Sequence, residues 1–520
     1  MAGGKDIGSG FLIVSRYLFA LASRYTTFYM KSISSLIAQF GCAAIIPAIA
    51  YFSNCSSVLA ASFVNSISIP GNATDLANTD NPSANTNRLG GFGSDLYFDP
   101  NSNFYYGLVD RGPGGGVISY QTRVQQFSLN VNQSTGAISD FVLQNTILLT
   151  KDGQSFNGLN PNSLNGNSSN LGKSQDPEGF VVAPNGNFYI SDEYGPSVRE
   201  FRPDGSFVRE FTVPSNLVPK QSDGTINYVN GRPTITSGRQ DNRGFEGLAM
   251  SPDGSKLYGL LQDPLVNEGD SNDGRRSRNV RMVEYDTATG QSTAQFIYQL
   301  EAIADINNRI PGTANDFTAT QQGRSIGISS VIAINDKEFF VIERDNRGIG
   351  VDDPTGINPV GSKRIYKIDI TGATDVSNIS LAGRSSLPGG IKAVAKSSNP
   401  FIDIAAALTQ AGLTIPEKIE GVTIGPRLAD GTYALIIATD NDFSVTQTGS
   451  GTQLDVCSNG RQVAIDSGCP NGSSLIPSLL YSFKADVSGY VRPVPFHFSV
   501  IPSIVMSVSL AAYKLKKKAK

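Results

Sequence analysis

The stretch DPEGFVVAPNGNFYISDEYG, Asp176 to Gly195, decides how the chain reads. An apolar run, Phe180 to Val182, leads into Pro184-Asn185-Gly186, and a second run, Phe188 to Ile190, follows. Asn-Gly supplies the positive backbone angles of a tight hairpin turn, so the two runs are antiparallel strands of one hairpin. Acidic residues stand at both outer ends, with Asp176 and Glu178 before the hairpin and Asp192 and Glu193 after it. Antiparallel pairing therefore gathers the acids at one end.

Working outward, the pattern returns. One copy precedes it, running from Gly93 through Leu96-Tyr97-Phe98, the turn Asp99-Pro100-Asn101 and Phe104 to Val109, and closing on Asp110-Arg111-Gly112. Three follow it. They begin at Phe245-Glu246-Gly247, Ile326-Gly327 and Ile419-Glu420-Gly421, and end at Gln262-Asp263-Pro264, Glu343-Arg344-Asp345-Asn346 and Asp440-Asn441-Asp442. Further strands, such as Ser197 to Phe201 and Phe207 to Phe211 around Pro203-Asp204-Gly205, extend the hairpins to four-stranded units. Repeated units of this kind predict an all-β chain folded as a single β-propeller with long loops between blades. A sixth blade built from both ends, with Ser478 to Phe483 pairing with an N-terminal strand, is expected to close the ring as six-bladed.

Composition agrees with many short strands and turns. Charged residues are only 17%, against 54 glycines and 27 prolines. The net charge of -3 and the lack of a basic stripe in the central region exclude nucleic acid as the expected partner, and a monomer is expected. The single histidine, His497, lies in the C-terminal tail. Serine-histidine triads, histidine-ligated zinc and imidazole acid/base pairs are thereby excluded from the folded domain. A bound metal must be held by carboxylates and carbonyls, hard ligands that suit calcium or magnesium.

The ends read as processing segments. From Met30 the chain has Lys31, an apolar run from Leu36 to Phe52, and small residues up to Ala61, the layout of an export signal with Met30 as the start. An uncleaved anchor is the alternative. Expected boundaries are a leader over residues 1–61, the propeller over 62–490 and a tail over 491–520. In the tail, apolar Phe496 to Tyr513 precedes Lys514, Lys516, Lys517, Lys518 and Lys520, which predicts membrane attachment. The layout is similar to Pro-Glu-Pro sorting tails, except that Pro493-Val494-Pro495 lacks the glutamate. In an exported, periplasmic or cell-surface chain, Cys457 and Cys469 are expected to form a disulfide.

Taken in order, Asp176-Pro177-Glu178-Gly179, Ser191-Asp192-Glu193-Tyr194-Gly195, Glu246-Gly247, Leu261-Gln262-Asp263-Pro264, Ile342-Glu343-Arg344-Asp345, Lys418-Ile419-Glu420-Gly421 and Asp440-Asn441-Asp442-Phe443 resemble the esterase-like domain of phytase. Gly90-Gly91-Phe92-Gly93-Ser94 with Asp110-Arg111-Gly112 resembles its opening, and the loop Asn267 to Arg281, which carries Arg275, has a counterpart there.

The resemblance implies a propeller hydrolase of small anionic esters, phosphoric esters first, related in architecture to calcium-dependent phytases. The expected metal ligands are Glu178, Asp192, Glu246, Asp345, Glu420, Asp440 and Asp110. Arg111, Arg344, Lys418 and Arg275 are the expected substrate clamps, and Glu193 or Glu343 the expected general base. So many acids at one mouth need raised pKa values or a cation. The bland alternative places them as solvent-facing turn residues. A lactonase or carboxylesterase, and a non-catalytic calcium-binding surface protein, are the rival functions.

Overall fold

The computed structural model describes residues 61–77, 86–165, 167–310, 317–449 and 451–494. Residues 1–60, all of the expected leader but Ala61, and the tail beyond Val494, with Met30 and His497, lie outside them.

Every copy of the repeat builds one antiparallel sheet, so the alternation read from the sequence is realised locally. The first sheet orders Asp95–Asp99, Phe104–Leu108, Arg123–Val131 and Ile138–Leu148. The second orders Pro177–Val182, Phe188–Asp192, Ser197–Phe201 and Phe207–Glu210. The third orders Phe245–Met250, Lys256–Leu261, Asn279–Asp286 and Gln291–Gln299. The fourth orders Gly327–Ala333, Glu338–Arg344, Lys363–Asp369 and Ala395–Lys396, with Ile402–Asp403 also on Lys363–Asp369. The turns at Gly186, Gly254 and Gly431 carry the positive φ (82, 75 and 93°) that such hairpins require.

The fifth sheet corrects one expectation. Its order is Lys418–Arg427, Tyr433–Asp440, Ser478–Ala485 and Ala61–Ile69. The segment from Ser478 does pair with an N-terminal strand, Ile69 opposite Ser478 and Ala61 opposite Ala485. It does so inside the sheet of the fifth copy rather than in a sixth, because Tyr433–Asp440 already takes its other edge. Five sheets of four or more strands are present among the described residues.

The first strands of the sheets touch one another in the order first, second, third, fourth, fifth and back to the first. Glycine at the strand start makes that approach possible. A Cβ on Gly179 would stand 2.7 Å from Leu248 N, one on Gly247 2.7 Å from Val331 N, and one on Gly421 3.0 Å from Gly93 O. The core lies between the sheets. Tyr106 and Leu108 pack with Phe180 and Ile190, Leu248 and Tyr258 with Val331 and Phe339, and Phe340 and Ile342 with Ile424 and Leu435. Each such side chain contributes about 2 kcal/mol by leaving water.

Two segments lie outside this scheme. Between Asp440 and Ser478 the chain forms a small sheet of Val445–Gln447, Gln453–Val456 and Gln462–Ala464. The expected disulfide Cys457–Cys469 ties its far loop. After Ala485 the chain crosses the hairpin-turn end of the first strands, with Val491 N donating to Ile334 O (2.8 Å) and Val494 N to Pro252 O (2.9 Å). Residue 490, the expected domain end, therefore falls within a docked segment. Among the described residues no helix is long and apolar enough to cross a membrane.

Candidate functional site

Four of the first strands break register near their starts, and in three of them the break holds a glutamate. These three irregularities fall between Pro177 and Phe180, between Phe245 and Gly247, and between Ile419 and Val422, so each contains the glutamate of its copy. A bulge inserts a residue that the ladder does not pair and re-aims its side chain. Glu178, Glu246 and Glu420 are thereby turned into one cleft of ≈ 310 Å³. In the fourth sheet the break holds Ser329, whose hydroxyl accepts from Arg344 Nε (2.7 Å).

Eight of the expected residues line this cleft together: Asp110, Arg111, Glu178, Glu193, Glu246, Arg344, Lys418 and Glu420. Asp440 joins them beneath, 3.0 Å from Lys418 Nζ. Two groups of carboxylates have oxygens within 4.8 Å of one another, Asp176–Glu178–Glu193 and Asp110–Asp440–Asp442. Lys418 Nζ holds the second, bonding Asp440 and Asp442 (3.0 and 2.7 Å). At the first, Arg111 binds only Asp176, through its backbone N (3.0 Å) and Nη1 (2.8 Å). Four enclosed carboxylate oxygens of cleft-lining residues, Glu193 Oε1, Glu246 Oε2, Glu417 Oε2 and Glu420 Oε2, accept no hydrogen bond, and Arg111 Nε donates none.

Burial and mutual repulsion govern the protonation of these groups. Burial, then the charges of Glu246 and Asp176, push Glu178 and Glu193 well up, with Arg243 and Arg111 offsetting the effect at Glu193. Burial and Glu420 push Glu246 to about 8, against the pull of Arg344. Asp110 is pushed well up by burial and Asp440. Burial, opposed by Lys418, takes Asp440 to about 7. A cation among these oxygens would reverse the repulsion.

Four expected site residues lie elsewhere. Asp192 is fully buried against Arg199 (2.5 Å), and its Oδ1 accepts from Asp176 N (3.1 Å) and Tyr194 N (3.0 Å). It shapes the turn that presents Glu193, which leaves it no free oxygen to offer. Asp345 is consumed by Lys363 Nζ (2.9 Å) and the backbone N of Gly361 (2.5 Å) and Ser362 (3.1 Å). Glu343 faces the third sheet, bound by Tyr298, Lys396 and the backbone N of Glu301 (2.7 Å). Successive strand residues point oppositely, so Arg344 reaches the cleft and Glu343 cannot. Arg275 closes on Asp273 (2.7 Å) and does not line the cleft.

Conversely, Asn242, Arg243, Gln262 and Glu417 line it, although none was assigned to it from sequence. Arg243 and Glu417 each stand three residues before the glutamate of their copy, Glu246 and Glu420, and that shared offset was the available signal. Arg111 Nη1 donates to Asn242, and Arg243 lies 3.4 Å from Asp263. The cavity at the opposite end of the first strands, of ≈ 50 Å³, is walled by Leu96, Val181 and Ile332 and carries no such chemistry.

Residues 87–443 match the family model described as "Phytase-like: Esterase-like activity of phytase". An "Uncharacterized secreted protein" of Arthroderma benhamiae is 29% identical over 314 residues, 50% of this chain and 59% of that relative, so the match spans less than two thirds of the relative's length. Among solved structures, a luciferin-regenerating enzyme is 13% identical over 78% of this chain and 97% of its own, with a TM-score of 0.27. A streptogramin B lyase is 9% identical over 78% and 74%, also with a TM-score of 0.27. Hydrazine synthase of Kuenenia stuttgartiensis is 12% identical over 68% and 78%, with a TM-score of 0.26. At these TM-scores the likenesses carry no argument.

Proposed function

This chain belongs to the phytase-like family, and from that premise we propose that it is an exported hydrolase of small anionic esters, phosphoric esters first, assisted by calcium. The five sheets are read as the blades of one propeller, their first strands around its axis. Export is supported by the signal-like leader, the Cys457–Cys469 disulfide and the secreted relative.

One observation carries the reading. Glu193 Oε1, Glu246 Oε2 and Glu420 Oε2 are enclosed without any hydrogen bond in a single cleft that guanidinium groups also line. Unsatisfied buried carboxylate oxygens are costly, and hard, all-oxygen donors suit calcium. The donor set fits, and Asp176, Glu178 and Glu193 are the residues that would hold the ion. When bound, calcium supplies positive charge against the oxygens that gain negative charge during ester cleavage.

The chain's own groups do the rest. Arg111 and Arg344 orient the anionic ester through charge-assisted hydrogen bonds. Lys418, held by Asp440 and Asp442, adds a fixed positive charge at the same wall. Glu193, an expected general base, belongs to the ion-holding group. The proton-handling role passes to Glu246, which lines the cleft outside that group and keeps one enclosed oxygen that accepts no hydrogen bond.

The test is turnover by the purified protein of a chromogenic phosphate ester and a lactone, with calcium and with chelator. Calcium-dependent, phosphate-inhibited cleavage of the phosphate ester supports the reading. Lactone opening alone would replace it with a lactonase, and calcium binding without any turnover would leave a binding protein.

A further inference from the structure

The family match ends at Phe443, but the cleft does not. Its remaining wall is Val445, Thr446 and Gln447, the first strand of the small inserted sheet. Asp442, Phe443 and Ser444 all have positive φ (46, 56 and 57°), and this reversal carries the chain out of the fifth sheet and over the site. Phe443 is buried as the pivot, so close under Gly91 that a Cβ there would stand 2.6 Å from its ring.

The insert is pinned firmly. Arg88, only 2% exposed, binds Asp455 (2.6 Å) and Asp466 (2.7 Å) from two parts of it. Ser444 Oγ donates to Val456 O (2.7 Å), and the disulfide ties Cys457 to Cys469.

The chemistry of this wall differs from that of the rest of the cleft. Elsewhere the lining is dominated by charge, whereas here it is neutral and hydrogen-bonding. Gln453 Nε2 donates to Gln447 Oε1 (3.2 Å), and Gln453 Oε1 is enclosed with no partner. Gly114 and Gly115 also line the cleft, and the Gln453 carboxamide packs against Gly114, where a Cβ would collide with its Nε2, so Gln453 holds Gln447 from behind the wall. A wall of hydroxyl and carboxamide groups cannot hold the anionic half of an ester against the guanidiniums, but it matches a hydroxyl-bearing half.

We propose that the insert pinned by Arg88 is the specificity wall of the cleft, with Thr446 and Gln447, the latter positioned by Gln453, selecting esters whose alcohol half carries hydroxyl groups over those with an aryl half. The inference rests on the proposed function for the anionic half of the ligand. Residues left with unpaired polar groups by the wrong ligand discriminate strongly, so the preference is a binding property and needs no turnover to be read.

The experiment is calorimetric titration of the full chain, with calcium present, using inorganic phosphate, glycerol phosphate and phenyl phosphate. The wild type is expected to bind glycerol phosphate about 10-fold tighter than phenyl phosphate, the worth of a net hydrogen bond or two. Gln447→Ala and Gln453→Ala should each shrink that ratio to about 3-fold or less, with affinity for inorganic phosphate unchanged. That unchanged affinity also certifies the fold of each variant. Equal binding of both esters by the wild type, or a preference that survives both substitutions, overturns the wall. If inorganic phosphate also fails to bind, the anionic-ester reading falls with it, whereas phosphate binding without ester preference removes the wall alone.

Discussion

Two carboxylate groups at one cleft, built from the same residue types, end in opposite states. Asp110–Asp440–Asp442 is partly compensated from within, because Lys418 Nζ bonds Asp440 and Asp442. Asp176–Glu178–Glu193 has Arg111 on Asp176 alone, and beside it the enclosed oxygens of Glu193 and Glu246 stand without partners. A lysine at a strand start completes the first group as structure. The second keeps unpartnered oxygens around it, which is why it is the one we propose as the ion site.

The sharpest way to break this contrast is to remove the open group. Glu178→Ala, within that group, and Glu246→Ala, beside it, should each lower calcium-dependent ester turnover by on the order of 100-fold, and Glu178→Ala should also abolish the rise in Tm on adding calcium. Unchanged turnover in a folded variant would put the chemistry elsewhere. At the lysine-held group the effect should fall on stability instead. Lys418→Met strands the aspartates and is expected to cost about 3 kcal/mol in urea unfolding without metal, part of it recovered in calcium.

The pH dependence tests both groups. Glu246 and Asp440 have folded pKa values of about 8 and about 7, above their ordinary 4.5 and 3.8. A raised carboxyl binds its proton more tightly when folded, so its stabilising effect is complete below the ordinary value and lost as pH rises through the folded one. Metal-free protein should therefore lose stability between about pH 5 and pH 8, by at most about 1.4 kcal/mol per pH unit for each group in transition. Calcium should flatten that slope and release protons on binding, which titrations in buffers of different ionisation enthalpy would detect. The smallest effect is expected outside the cleft, where Arg275→Ala should change stability by less than about 0.5 kcal/mol and turnover not at all.

Much of the cleft was legible because the repeat brings strand starts and ends together. Which of two neighbouring charged residues enters it was not. Asp192 and Glu193 are adjacent, as are Glu343 and Arg344, and in each pair one side chain is spent on packing. The choice depends on which face of a strand meets the axis and which residue the register break leaves unpaired, and neither is written in a strand's composition. The expected separate sheet from both chain ends was misplaced for a related reason. The edge that takes Ser478–Ala485 belongs to a strand already counted in the fifth copy.

By itself, the amino-acid order determined the sheets, their hairpin turns, the disulfide and the exclusion of imidazole chemistry. Those follow from alternation, turn residues and counting, which are local. Only the tertiary structure decided that Lys418 closes one acidic group while the other stays open, and that a segment beyond the family match walls the site. Charge pairing and burial depend on distances between residues hundreds of positions apart, and those distances exist only once the first strands have met around a common centre.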